Sequence, residues 1–245
     1  MVATPESEIN FCFPIPETLE NNRILLTPFI ASKHAKMVFE ELVLYPELFR
    51  YLPFGPFPDF KGFDDFMQTR MCQDSNNCMF VIYDKTRSSE PSSHEPSQGT
   101  IAGLMGLINT SAPDLAIEIG AIMILPPFQR THVTSNAVGL LLQYCLNLPS
   151  TEKPNALGLR RVFWCANSLN KPSVRTAERM GFTFEGIMRW HRVLPPGKPG
   201  NGEAVRTGDP RAACEGRDTA ILSLCWDDWE GGQKEVVQSI MNRVA

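Results

Sequence analysis

The stretch that most constrains the fold is Leu115–Leu125, LAIEIGAIMIL, with Glu118 as its one charged side chain and Pro126-Pro127 closing it. A strand with one wet face alternates apolar and polar residues. An unbroken apolar run of this length instead predicts a central strand covered on both faces. Next come a polar loop, Gln129-Arg130-Thr131-His132-Val133-Thr134, and an amphipathic helix expected from Thr134 to Leu146. The first N–H groups of a helix have no partner inside it, and the peptide dipoles favour negative charge there. A strand, a polar loop and a helix in this order therefore make a candidate phosphate cradle. The loop contains no glycine.

The other segments supply the partners this strand needs. Strands are expected at Arg23–Thr27, Met79–Tyr83, Thr100–Asn109, Leu159–Cys165, Phe182–Leu194 and Arg217–Trp226. Helices are expected after Ser32, whose hydroxyl suits an N-cap, over 63–73, from Asn170 to Met180, and at the C-terminal QKEVVQSIMNRV. Asn170 is a suitable N-cap with Pro172 in the first turn, and Gly181 suits the C-terminal stop. The order β-α-α-β-β-β-α-β-α-β-β-α predicts an α+β fold: a mixed sheet of about seven strands in an α/β/α arrangement. No linker divides the chain, so residues 1–245 are expected to form a single domain. Residues 1–22 read as a surface arm. Residues 87–98, rich in Ser, Pro and Glu, read as a flexible hairpin tip, and the Pro/Gly-rich 195–216 as a mobile insertion.

Composition excludes several classes. With 245 residues, 43% of them hydrophobic, the chain can bury a substantial core. No apolar run approaches the ~20 residues of a membrane span, and the polar, acidic start is not a secretory signal. A net charge of −4 argues against nucleic-acid binding and mildly favours a cationic or amine substrate. The seven cysteines show no C-x-x-C spacing, and the four histidines form no H-E-x-x-H pattern. This points to a reducing, cytoplasmic setting without a metal site or disulfide framework.

Four local patterns carry a resemblance. Ile119-Gly120 through Pro126-Pro127-Phe128-Gln129 resembles the fourth strand, and the entry to the pyrophosphate loop, of the GNAT superfamily of acyl-CoA-dependent N-acetyltransferases. Asn170-Lys171-Pro172-Ser173 resembles the N-x-x-S segment of the branch that acetylates ribosomal-protein N-termini. Arg179-Met180-Gly181-Phe182 resembles that family's R-L-G-F motif. Phe184-Glu185-Gly186, followed by Arg217-Asp218-Thr219, resembles the branch's E-G … R-D-T hairpin. The resemblance covers about residues 22–230 and implies a metal-free reaction between acetyl-CoA and an amine acceptor. A monomer or homodimer, with no nucleic-acid or membrane partner, is expected. The resemblance implies that the pantetheine pairs with backbone at Met123, Ile124 and Leu125. It also implies that the pyrophosphate rests on Gln129, Arg130, Thr131, His132, Val133 and Thr134, and that a backbone N–H of the fourth strand holds the oxyanion. The family loop is usually Q/R-x-x-G-x-G/A, so His132 and Thr134 stand where small residues are usual. The family's frequent tyrosine acid falls at Ala177.

Each candidate residue has a functional reading and a plainer one. Glu118 suits a general base, since burial raises a carboxyl pKa toward neutrality and an amine of pKa about 10 must lose a proton; alternatively it is salt-bridged or solvent-facing. Asn170 and Ser173 suit contacts to the cofactor or its thiol, with Ser173 a candidate proton donor; alternatively they cap a helix. His191 is an alternative base, or a strand residue with a wet imidazole. Tyr51, Phe54, Phe57 and Trp190 suit an acceptor pocket; alternatively the loop aromatics, Phe60 included, form a satellite apolar cluster. The expected activity is acetyl transfer to a primary amine of a small molecule. A protein or peptide N-terminal acetyltransferase, and a non-catalytic acyl-CoA-binding protein, are the alternatives.

Overall fold

The computed structural model describes residues 8–87, 99–151 and 154–243. Its strands are β1 (Leu19–Glu20), β2 (Ile24–Pro28), β3 (Cys78–Asp84), β4 (Thr100–Ser111), β5 (Ala116–Ile124), β6 (Arg161–Asn167), β7 (Thr183–Val193) and β8 (Gly216–Cys225). Its helices are α1 (Ala31–Leu42), α2 (Phe60–Phe66), α3 (His132–Leu146), α4 (Lys171–Arg179), the single turn α5 (Trp226–Asp228) and α6 (Lys234–Asn242). The strands form one sheet in the order β1-β2-β3-β4-β5-β6-β8-β7. The eighth strand, beyond the seven expected, is β1. Two residues carry no periodicity, and only pairing with Leu25 and Leu26 makes them a strand.

Seven of seven β3 residues are buried, so the sheet is covered on both faces there. Helix α1 packs with α2, and α3 packs with α6. The apolar run at 115–125 forms β5 between β4 and β6, as its composition requires.

One pairing shapes everything near the candidate site. β5 and β6 run parallel but pair only where Ala116, Ile117 and Glu118 face Arg161, Val162 and Phe163. Beyond Glu118 the two strands part. β5 continues to Ile124 along β4, while β6 continues to Asn167 along β8. The result is a V with Glu118 at its apex. The outer β5 segment is irregular: its register against β4 shifts between Leu104 and Gly106, and Ala121 opposite has φ 49°. A bulge of this kind re-aims backbone groups.

Several expectations are corrected. Ser32 does not cap α1. The N-cap is Ile30, whose N–H donates to His34 Nδ1 at 2.9 Å, while the Ser32 hydroxyl bonds Glu8. α2 starts at Phe60 rather than 63 because the Asp59 carboxylate accepts from Gly62 N–H at 2.8 Å. Past α2 the backbone continues as a π turn, Met67–Cys72. The insertion at 195–216 is tied down rather than loose. Lys198 Nζ donates to the carbonyls of Phe49, Leu52 and Phe54, each at 2.6 Å. Asn201 bonds the Gly216 carbonyl through its N–H at 2.7 Å and Asp218 through its side chain at 3.0 Å. Of the expected hairpin tip at 87–98, only Arg87 lies among the described residues. No helix among the described residues is long and apolar enough to cross a membrane.

Candidate active site

Glu118 is 5% exposed and lies among groups from four other strands at the apex of the V. Asn109 Nδ2, from β4, donates to Glu118 Oε2 at 2.7 Å. The Cys165 backbone N–H, from β6, also bonds the carboxylate, and the charges of Arg217 and Arg192 act on it from β8 and β7. Asn109 reaches Glu118 because its backbone is left-handed, φ 48°, a conformation asparagine tolerates better than most residues. Burial outweighs these favourable contacts and pushes the Glu118 carboxyl up to about 7. Gly120 makes room for it: a Cβ there would lie 2.8 Å from Glu118 Oε1 and 2.7 Å from Ile108 Cδ1.

The glycine-free loop starts beside the open edge of β5. Leu125 donates its N–H to Ala102 O and accepts from Phe128 N–H, both at 2.9 Å. Its N–H and carbonyl are thus both engaged within the protein, at a residue where the resemblance implies pairing with the pantetheine. Gln129 Nε2 donates to Ile124 O at 2.9 Å, pinning the loop to the strand. Arg130 is exposed with φ 60°, which turns the chain into the helix. Thr131 is the N-cap: its hydroxyl donates to Phe128 O at 2.7 Å and accepts from Val133 N–H at 3.3 Å.

His132 and Thr134 lie inside the first turn of α3, so their backbone is right-handed and needs no glycine. The His132 ring turns down toward β3, with Nε2 3.3 Å from Asp84 Oδ1. Burial lowers its pKa, with Asp84 opposing that shift. The N–H groups of His132 and Thr134 have no intrahelical partner and stay at the helix end. This arrangement suits an anion.

An acetyltransferase (GNAT) domain model matches residues 23–183. The chain belongs to this family. A GCN5-related N-acetyltransferase from Brucella melitensis is 26% identical, with 93% of this chain and 87% of that one covered and a TM-score of 0.70. Spermidine N-acetyltransferase from Vibrio cholerae, solved with CoA and spermine, is 15% identical over 86% of this chain and 99% of that one, with a TM-score of 0.60. RimL, a ribosomal L7/L12 alpha-N-protein acetyltransferase, is 15% identical over 85% and 94%, with a TM-score of 0.62. At such identities the last two show the fold alone. No curated protein matches.

The family uses acetyl-CoA, and the residues of this GNAT chain fit it. Beyond Glu118 the side of β5 that faces β6 has no strand partner, while Met123 and Ile124 pair with Leu104 and Gly103 of β4 on the other side. The α3 N-terminus offers N–H groups with the one bulky loop ring folded away. Asn170 does cap α4, accepting from Ser173 N–H at 3.3 Å, and the Ser173 hydroxyl accepts from Trp164 Nε1 at 3.0 Å. Ala177 is fully buried and offers no proton.

His191 Nδ1 lies 3.0 Å from Thr219 Oγ1, and burial lowers its pKa, with Arg192 and Arg217 adding to the shift. Trp190 is half exposed, with its N–H on Asp218 Oδ1 at 2.8 Å and its ring over Gly216. Phe54 and Phe57 pack with Phe49, Phe63 and Phe66 as an apolar cluster, while Tyr51 lies under the Arg50 guanidinium. The cluster flanks the site through Pro46–Phe49, which packs on β5.

Sequence reasoning missed Asn109, Arg192 and Lys198, and quoted Gly120 and Arg217 only inside motifs, with no role for the space at the glycine or the side chain of the arginine. Their positions depend on strand register and long-range contacts, which no local pattern reports.

Proposed function

We propose that this chain is an acetyl-CoA-dependent N-acetyltransferase acting on a primary amine of a small molecule, with Glu118 as general base. The observation that carries the reading is a buried carboxyl, poised near neutrality, at the point where β5 and β6 part. When bound, acetyl-CoA supplies an activated thioester carbonyl. The side of β5 left open beyond Glu118, at Met123 and Ile124, would hold the pantetheine by backbone, and the α3 N-terminus from Thr131 to Thr134 would hold the pyrophosphate. Arg130, exposed beside that terminus, adds positive charge. Glu118 takes the proton of the acceptor ammonium, directly or through one water, so that the neutral amine would attack; the N–C bond would form as the thioester C–S bond breaks, and the departing thiolate would take a proton from solvent. Asn109 and the Cys165 N–H keep the carboxylate oriented as it accepts the proton. Asn170 and Ser173 hold the α4 end beside the cleft.

The small-molecule reading is supported by Lys198 tying the 195–216 insertion to the aromatic loop at 49–54, two loops that together would build a more enclosed site than a peptide needs. One observation favours a protein N-terminus instead. β7 is the sheet's edge, and Phe184, Ile187, Trp190 and Val193 on it are exposed, a surface on which an extended peptide can add. A screen of amines against peptides with acetyl-CoA, following free thiol, decides between them. Calorimetric titration with CoA tests both, since absence of binding at millimolar concentration would overturn the enzyme reading altogether.

A further inference from the structure

The β7–β8 register sets Arg192 directly opposite Arg217. Side chains opposite one another in an antiparallel pair share a face, and like charges there repel. Arg217 is 6% exposed. Its Nη2 donates to Cys165 O at 3.2 Å, while its Nε is buried without a partner. Among the described residues neither arginine has a carboxylate within 4.0 Å. Arg192 is exposed. A buried charge is ordinarily paired, and a cross-strand pair of like charges is ordinarily avoided.

The surrounding groups do not supply the missing anion. Asp218, next along β8, is taken by Trp190 N–H and Asn201 Nδ2, with Arg189 nearby. Glu215 accepts from Gly200 N–H. Glu118 is the one carboxyl beside both arginines, and it is bonded by Asn109 and Cys165. Lys198 adds a further cation near Arg217, and His191 stands next to Arg192. In a chain of net charge −4, Arg192, Arg217 and Lys198 thus form a group of cations next to Glu118.

We propose that Arg192 and Arg217 receive an anionic group on the acceptor, so that the substrate is an amine that also carries a carboxylate or a phosphate. Guanidinium groups match both anions by paired N–H donors. A polyamine would meet repulsion at the same place. This inference rests on the N-acetyltransferase reading and narrows its substrate class.

The test uses four amines on one three-carbon frame: β-alanine, aminopropyl phosphate, propylamine and propanediamine. Each is titrated calorimetrically into the full chain saturated with CoA, and each is assayed for thiol release with acetyl-CoA. The expected result is binding of β-alanine or aminopropyl phosphate at least about tenfold tighter than propanediamine, a preference that weakens with salt. The tighter of the two identifies the anion. Arg192→Glu, at an exposed position, is expected to shift the ratio toward propanediamine by about tenfold or more. Using a ratio cancels any effect of the variant on Glu118. Propanediamine binding as tightly as the anionic amines, no binding by any of the four, or a ratio untouched by Arg192→Glu would each overturn the inference. An anionic preference in binding with no thiol released from any amine would overturn the proposed activity and leave this charge assignment standing.

Discussion

Asn109 Nδ2 lies 2.7 Å from Glu118 Oε2, joining a left-handed turn of β4 to the apex of the β5–β6 V. The bond holds a carboxyl that burial would otherwise leave without a donor from that side. It also links the local backbone of one strand to the chemistry assigned to the next.

Gly120→Ala tests whether that geometry matters. The added Cβ meets Glu118 Oε1 at 2.8 Å and Ile108 Cδ1 at 2.7 Å, so one of them must move. Overpacking of this sort costs about 1–3 kcal/mol. The variant is expected to fold, to melt a few degrees lower and to lose turnover, with CoA affinity little changed. Steady-state kinetics beside CoA titration checks this; unaltered turnover would show that the Glu118 position is not critical.

Glu118 also makes stability depend on pH. Its folded-state value, about 7, lies above its ordinary 4.5. Between these values the folded chain keeps a proton that the unfolded chain has released. Stability therefore falls as pH rises from about 4.5 to about 7, and this contribution is flat above. Glu118→Gln removes the effect. Thermal melts at pH 5 and pH 8 are expected to show the variant gaining on the parent at the higher pH, by up to about 3 kcal/mol. A difference independent of pH would contradict the raised pKa.

Lys198→Met removes the cation shared by three carbonyls at 2.6 Å. Buried carbonyls left without donors cost about 1–3 kcal/mol each at most. The melting temperature is expected to drop by about 5 °C or more. The acceptor KM is expected to rise while CoA affinity holds. Equal losses in both substrates would mean the latch supports the whole fold rather than the acceptor wall.

His132→Ala addresses the missing glycine. The ring points to Asp84 and away from the helix end, so CoA affinity is expected to stay within about threefold of the parent. A large gain in affinity would show that the imidazole does crowd the loop.

The sequence made the frame legible where one local rule dominated. The unbroken apolar run gave β5 within a residue or two at each end, and the Asn170 cap and Gly181 stop bracketed α4. The strand–loop–helix junction was legible, although α3 begins two residues earlier than the periodicity suggested, because Thr131 rather than a later residue caps it. The expected Ser32 cap failed because His34 reached back to Ile30 first. Of the polar groups gathered at the apex of the V, the sequence singled out Glu118 alone. Asn109, Arg192 and Arg217 come together only through register shifts in β4 and β7, and such shifts leave no trace in composition. The insertion looked loose from its prolines and glycines, yet a single buried lysine fixes it, a contact spanning well over a hundred residues.

The most direct test of the account is the pH dependence of kcat/KM for thiol release, measured for the parent and for Glu118→Gln with the best amine. A rising limb near pH 7 is expected in the parent. A rate lower by about a hundredfold is expected in the variant at neutral pH, with the gap closing as the amine deprotonates unaided at high pH. Superimposable profiles for the two proteins would remove Glu118 as the base.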